Sequence, residues 1–196
     1  CSAFTTNSMH IRISSKAFTL IETLIAVFIL MTAVVGPMSI AAKGLQSALI
    51  AKDQTTAVYL AQDGIEFARY LRDTACLTNA PSGNCNGPTA FNPFTLGGVC
   101  TKAAGCRVDT ITKTVTDCSS DTGGVCAALN YDTSNKWFTY NPTSLTIVRT
   151  VFTRTLTASL APGKSDELIV RVVVTWDDLG SVVHTVSEQE NIYAWQ

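Results

Sequence analysis

Phe18-Thr19-Leu20-Ile21-Glu22 opens a run on which the reading of the whole chain turns: after the acid, the twenty residues Thr23 to Ala42 carry no charge. At about 1.5 Å per residue, Phe18 to Ala42 is long enough to cross a hydrocarbon core of roughly 30 Å as a helix. A carboxylate inside such a helix costs roughly 2.5–3.5 kcal/mol on insertion scales, so Glu22 calls for a cation. A cut before Phe18 would supply one. The new α-amino group, with a reference pKa near 7.7–8.0, would lie one helical turn from Glu22. Ahead of that point, His10 to Lys16 is polar and holds Arg12 and Lys16, which the positive-inside rule keeps on the cytoplasmic side.

Ala17-Phe18-Thr19-Leu20-Ile21-Glu22 closely resembles the processing motif of type IV prepilins and type II secretion pseudopilins. In that family a membrane peptidase cleaves before the Phe and methylates its amine. The resemblance therefore implies cleavage between Ala17 and Phe18, N-methylation of Phe18, and pairing of that amine with Glu22 in the same or an adjacent subunit. Ala17 stands where the family usually has Gly. Met9 reads as the start of translation, with residues 1–8 upstream and 9–17 a short basic leader. Two plainer readings fit less well. A secretory signal cut after Ser39-Ile40-Ala41, or a simple single-pass anchor, leaves Glu22 unexplained.

The run does not stop at the membrane. From Lys43 to Asp73, Leu45, Leu49, Ala57, Leu60, Ala61, Ile65, Ala68 and Leu71 recur every three or four residues, the stripe of an amphipathic helix. Gly36-Pro37 interrupts the span near its outer end. Proline removes the hydrogen bond to the carbonyl of Ala33, so a kink is expected there.

Between residues 74 and 142 the sequence is rich in Gly, Pro, Asn, Ser and Thr and contains Cys76, Cys85, Cys100, Cys106, Cys118 and Cys126. An even count beyond an anchor predicts three disulfides stapling a loop-rich region. Fifteen connectivities are possible, and the short loops favour Cys76–Cys85, Cys100–Cys106 and Cys118–Cys126. No Cys-x-x-Cys pair is present, and His10 and His184 lie far off, so no metal or other cofactor is expected. Asp117, Asp121 and Asp132 lack the spacing of a calcium loop. Arg107 to Val115 alternates as one short strand would, and Lys102, Arg107 and Lys113 read as solvated loop charges.

Residues 143–196 are β-rich: Leu145 to Leu160, Glu167 to Trp176 and Ser181 to Tyr193 read as three antiparallel strands, turning at Ala161–Lys164 and Asp177–Gly180. The helical stripe of residues 43–73 is the available cover for one face of that sheet. The fold class is α+β, and this order of long helix, stapled loop region and C-terminal sheet is similar to the pilin fold. Leu60 to Glu66, with Trp176 and Trp195, looks most like the minor pilins of the pilus-modification type.

With 15% charged residues and a net charge of −1, the chain has no electrostatic footprint for nucleic acid. His184 has Ser181, Thr185 and Ser187 near it in sequence, but strand neighbours alternate faces, so no catalytic triad follows and no enzyme is expected. Trp137, Phe138 and Tyr140 read either as core or as an exposed patch. The resemblance implies a filament subunit of the bacterial cytoplasmic membrane with its ectodomain outside the cytoplasm. Its implied partners are the prepilin peptidase, other pilin or pseudopilin subunits and an inner-membrane assembly platform. The alternative is a membrane-tethered binding module, an adhesin or receptor that enters no fibre.

Overall fold

The computed structural model describes residues 19–79, 99–141, 146–178 and 182–194. Ala17, Phe18, Cys85, Trp195 and the side chain of Cys76 lie outside the described residues, so neither the cleavage site nor the first expected disulfide is placed. The chain divides into two compact units, Cys1–Ala48 and Leu49–Gln196.

Helix α1 (Leu20–Asn79) runs unbroken through Gly36-Pro37 and ends six residues beyond the expected Asp73. In its first half every described residue from Thr19 to Leu49 is exposed. The second half is amphipathic as expected, with Ala57, Leu60, Ala61, Ile65 and Ala68 buried. The stripe begins later than its periodicity suggests, because Leu45 and Leu49 remain 66% and 42% exposed. Phe67, which the stripe omits, is buried as well.

Among the described residues the sheet has seven strands: β1 (Cys106–Asp109), β2 (Thr114–Asp117), β3 (Ala128–Asp132), β4 (Trp137–Thr139), β5 (Ile147–Leu160), β6 (Glu167–Asp177) and β7 (Val183–Tyr193). The three long ones are those the sequence announces. β6 lies between β5 and β7, and the other side of β5 is shared by the β1–β2 and β3–β4 hairpins; all pairings are antiparallel. One face alternates cleanly inward: Phe152, Arg154, Leu156 and Ala158 of β5, and Leu168, Val170, Val172, Val174 and Trp176 of β6, are buried. Together with Ala57 to Ala68 of the helix they form one core, as expected when a half-buried sheet is covered by an amphipathic helix.

One short strand is expected over Arg107–Val115 and four are found, and their turns explain why. Asp109 accepts hydrogen bonds from the amides of Ile111 (3.0 Å) and Thr112 (3.1 Å), and Lys113 closes the turn at φ 57°. That turn splits the single strand expected over Arg107–Val115 into β1 and β2. Asp132 repeats the device with Ser134 (2.9 Å), Asn135 (3.2 Å) and Lys136 at φ 63°. The shared spacing, Asp109-Thr-Ile-Thr-Lys113 and Asp132-Thr-Ser-Asn-Lys136, is a readable turn signal, because a short acid captures backbone amides in place of a ladder.

Two of the three expected disulfides form here, Cys100–Cys106 and Cys118–Cys126. They do not replace a core. Cys100 and Cys106 are fully buried beside Val108 and Leu129 and extend the main one.

Candidate functional site

The first candidate is the apolar helix half with its acid. Thr19 stands just before α1; its carbonyl accepts from the amides of Glu22 (3.0 Å) and Thr23 (3.2 Å), and its hydroxyl oxygen accepts a longer contact from the Glu22 amide (3.4 Å). Thr19-Leu20-Ile21-Glu22 thus has the Thr-x-x-Glu spacing of a capping box, with the acid near the positive end of the helix dipole. The favourable place of an acid at a helix start is expected from the sequence together with its charge pairing, whereas the Thr-x-x-Glu pattern is an additional signal legible in four residues.

Beyond Glu22, the hydroxyls of the uncharged span are satisfied within the helix. Thr23 donates to Leu20 O (2.9 Å), Thr32 to Phe28 O (3.1 Å) and Ile29 O (3.0 Å), and Ser39 to Gly36 O (2.8 Å). These are the three hydroxyl residues between Thr23 and Ala42. A segment in lipid must satisfy its polar groups internally, and this one presents Leu20, Phe28, Met31, Met38 and Ile40 outward, each more than 60% exposed. The helix is long and apolar enough to cross a membrane, with a mean hydropathy of 2.3 over its best window.

The second candidate is the junction of helix and sheet, which sequence reasoning missed. Arg154 on β5 is 1% exposed, yet its guanidinium reaches the helix: Nη1 donates to Leu60 O (3.0 Å) and to the Asp63 carboxylate (2.6 Å), and Nη2 donates to Val108 O (2.7 Å). Cys118 N donates to Gly105 O across the β1–β2 register. Bonded pairs recur every second residue, so Val108 turns its carbonyl away from β2. Cys106 is the one β1 residue paired with β5, and where the two strands part the guanidinium takes that free carbonyl. A buried charge is held in this way by one counter-charge and two carbonyls. One helical position on, a Cβ added to Gly64 would stand 3.0 Å from Val172 Cγ1 and 3.5 Å from Arg154 Cδ, so helix and sheet approach closely beside Arg154.

The remaining candidates are dispersed among structural tasks. Trp137 is 39% exposed at the rim of a groove of about 380 Å³ with Tyr59, Leu60 and Ile111. Phe138 and Tyr140 instead pack against the core. His184 stacks on Trp176 and lies 3.2 Å from Asp178, while Ser187, three residues on and therefore on the opposite face, accepts from Arg171 (2.9 Å). The three aspartates weighed as calcium ligands do separate work. Asp121 pairs with Arg107 (3.1 Å) and accepts from Ala127 N. Asp132 closes its turn, where hydrogen bonds from Ser134 and Asn135 hold its carboxyl well below the usual range. Asp117, bonded first by Lys102 and then by the Ser119 amide, is lowered to about 2. No group of three ligand-type side chains gathers among the described residues. Lys102, Arg107 and Lys113 are accordingly not free loop charges: Lys113 lies 4.5 Å over the Tyr70 ring and Arg107 5.2 Å over Tyr140. Asp109 is buried, which raises its pKa, but bonds from Thr139, Tyr140, Thr112 and Ile111 outweigh burial and leave it lowered.

Comparison of the chain with protein-family models, with curated proteins and with solved structures finds no match.

Proposed function

We propose that this chain is a structural, non-enzymatic subunit, a minor pilin or pseudopilin, of a type IV pilus or a type II secretion-like filament. It is processed between Ala17 and Phe18 and assembled through its N-terminal helix. The observation that carries this reading is Glu22 at the head of an exposed, membrane-length apolar helix that continues into the covered half of an α+β domain. The Thr19 oxygens accept from the Glu22 amide, and a negative side chain at a helix start is worth about 0.3–1 kcal/mol, less than the roughly 2.5–3.5 kcal/mol that a carboxylate costs within the span. The methylated amine of Phe18, in the same or the next subunit, makes up the difference. Breaking such a buried pair costs about 3–5 kcal/mol. Before assembly the subunit sits in the bacterial cytoplasmic membrane with residues 43–196 outside the cytoplasm. The prepilin peptidase, sister subunits and the assembly platform are its partners.

Mass spectrometry of the chain made beside a prepilin peptidase tests this: a mature start at methylated Phe18 is expected. Glu22→Ala is expected to insert normally but to enter fibres poorly, and normal incorporation of that variant would refute the pairing. The place of Glu22 near the positive end of the helix dipole favours a second reading, a tethered binding module, because it gives the carboxylate a local task without any fibre. An intact Met9 start in the presence of the peptidase would select it.

A further inference from the structure

We propose that the free edge of β7 is a self-pairing surface, through which two copies of this chain join β7 to β7 antiparallel about a two-fold axis at Val186. Among the described residues β7 pairs only with β6, in eleven consecutive register positions without a bulge. The other outer strands, β2 and β4, are four and three residues long. A long, regular edge is a template for a further strand unless charged side chains, above all lysine, or proline or a bulge block it. Val183–Tyr193 contains no Lys, Arg or Pro; its acids are Glu188 and Glu190, the latter held by Arg69.

The direction of its backbone follows from two bonds at the ends of the ladder. Asp178 N donates to Val182 O (3.1 Å) and Ala194 N to Asp166 O (2.9 Å), and both pairs continue the β6–β7 register. Bonded pairs recur every second residue in an antiparallel ladder. Even-numbered residues from His184 to Ile192 therefore bond to β6, and Val183, Thr185, Ser187, Gln189 and Asn191 aim their amides and carbonyls at the open edge. Side chains of β7 bond toward the helix and β6: Glu190 accepts from Arg69, Asn191 donates to Glu167, Ser187 accepts from Arg171, and His184 bonds Asp178.

Charge selects both the occupant and its register. With the axis at Glu188, two carboxylates would face each other across the pair. With it at Ser187, Val186 would meet the other copy's Glu188, an apolar side chain opposite a carboxylate. With it at Val186, that residue meets its own copy, Thr185 meets Ser187, and each His184 imidazole, 3.2 Å from Asp178 of its own chain, lies opposite a Glu188 carboxylate. Opposed partners of this kind are the stabilising unit of a sheet. The outward amides of Thr185 and Ser187 then bond across the axis. This surface is independent of the filament reading, since a tethered module would have it as well, and its failure would leave the role of Glu22 untouched.

Val186→Cys in the full chain in detergent micelles tests the register, because a non-bonded antiparallel pair brings Cα atoms to about 4.5 Å, within disulfide reach. Under mild oxidation the variant is expected to run on a non-reducing gel at twice the 21.0 kDa monomer, beyond any band given by the wild-type cysteines. Adding Ser187→Pro, which deletes an outward amide and leaves the β6 ladder whole, is expected to abolish that band. Analytical ultracentrifugation of the wild type, which needs no variant, is expected to show a dimer. A monomeric wild type, absence of the cross-link, equal cross-linking through Glu188→Cys, or a band unchanged by Ser187→Pro in a variant that keeps the wild-type near-ultraviolet circular dichroism would each overturn the proposal.

Discussion

Gly64→Ala sets two effects of known size against each other. Replacing glycine by alanine inside a helix is worth about 0.8–1.0 kcal/mol in favour of the folded state. At this position the new methyl would stand 3.0 and 3.1 Å from the two γ-carbons of Val172 and 3.5 Å from Arg154 Cδ, where carbon atoms prefer about 3.5–4.0 Å. Val172 cannot readily withdraw. It is wholly buried on β6, which is bonded on both sides by β5 and β7, and a β-branched side chain has little freedom at χ1. Overpacking of this kind costs about 1–3 kcal/mol, so the net expectation is a loss of about 1 kcal/mol, or a melting point lower by about 2–4 °C for a chain of this size. Urea unfolding of the full chain in detergent, followed by tryptophan fluorescence, measures it. In the Gly64→Ala background, Val172→Ala should cost at least about 1 kcal/mol less than it does alone, because the new methyl occupies the space vacated. A midpoint raised by the full propensity gain, or additivity within about 0.5 kcal/mol, would refute a contact-limited helix–sheet approach.

Two further expectations concern charge. Arg154→Met frees Asp63, whose side chain is 45% exposed, to return to water, at the expense of an orphaned Val108 carbonyl worth about 1–3 kcal/mol. Asp63→Ala instead leaves a buried cation without its counter-charge, so the double variant should be more stable than the sum of the single losses predicts by at least about 1 kcal/mol. Additive losses would show that the two groups do not act as a pair. Asp117, lowered to about 2 in the folded chain against about 3.9 in an unfolded one, binds fewer protons folded than unfolded. Its contribution is complete above about pH 4 and is lost as the pH falls toward about 2. Asp117→Asn should flatten the stability curve across that window in unfolding midpoints taken from pH 2 to 5, and an unchanged slope would exclude it.

Periodicity is what made most of this fold legible. The β-rich runs of β5 and β6 and the helical stripe from Ala57 to Ala68 are local patterns, and they appear in the structure where the sequence places them. Short cysteine spacings gave two disulfides because a small loop leaves few ways to close. The four short strands were less legible, since Asp109 and Asp132 had to be read as amide acceptors before the turns that separate those strands could be seen. Trp137, Phe138 and Tyr140 could not be sorted at all from their order, because whether a ring is covered depends on residues such as Tyr131 and Phe152, which stack against Phe138 at 5.1 and 6.4 Å.

What the sequence alone determined is the membrane-length helix, the acid at its head and the order of helix before sheet, because each depends on neighbours within one turn or one strand. Only the tertiary structure decided that Arg154 is buried, that Gly64 sits close against Val172, and that Asp63, Val108 and Leu60 converge on one guanidinium. These groups are separated by up to 94 positions. A charge is stable in a core only when distant parts of the chain bring its partners together, and no local pattern encodes that meeting.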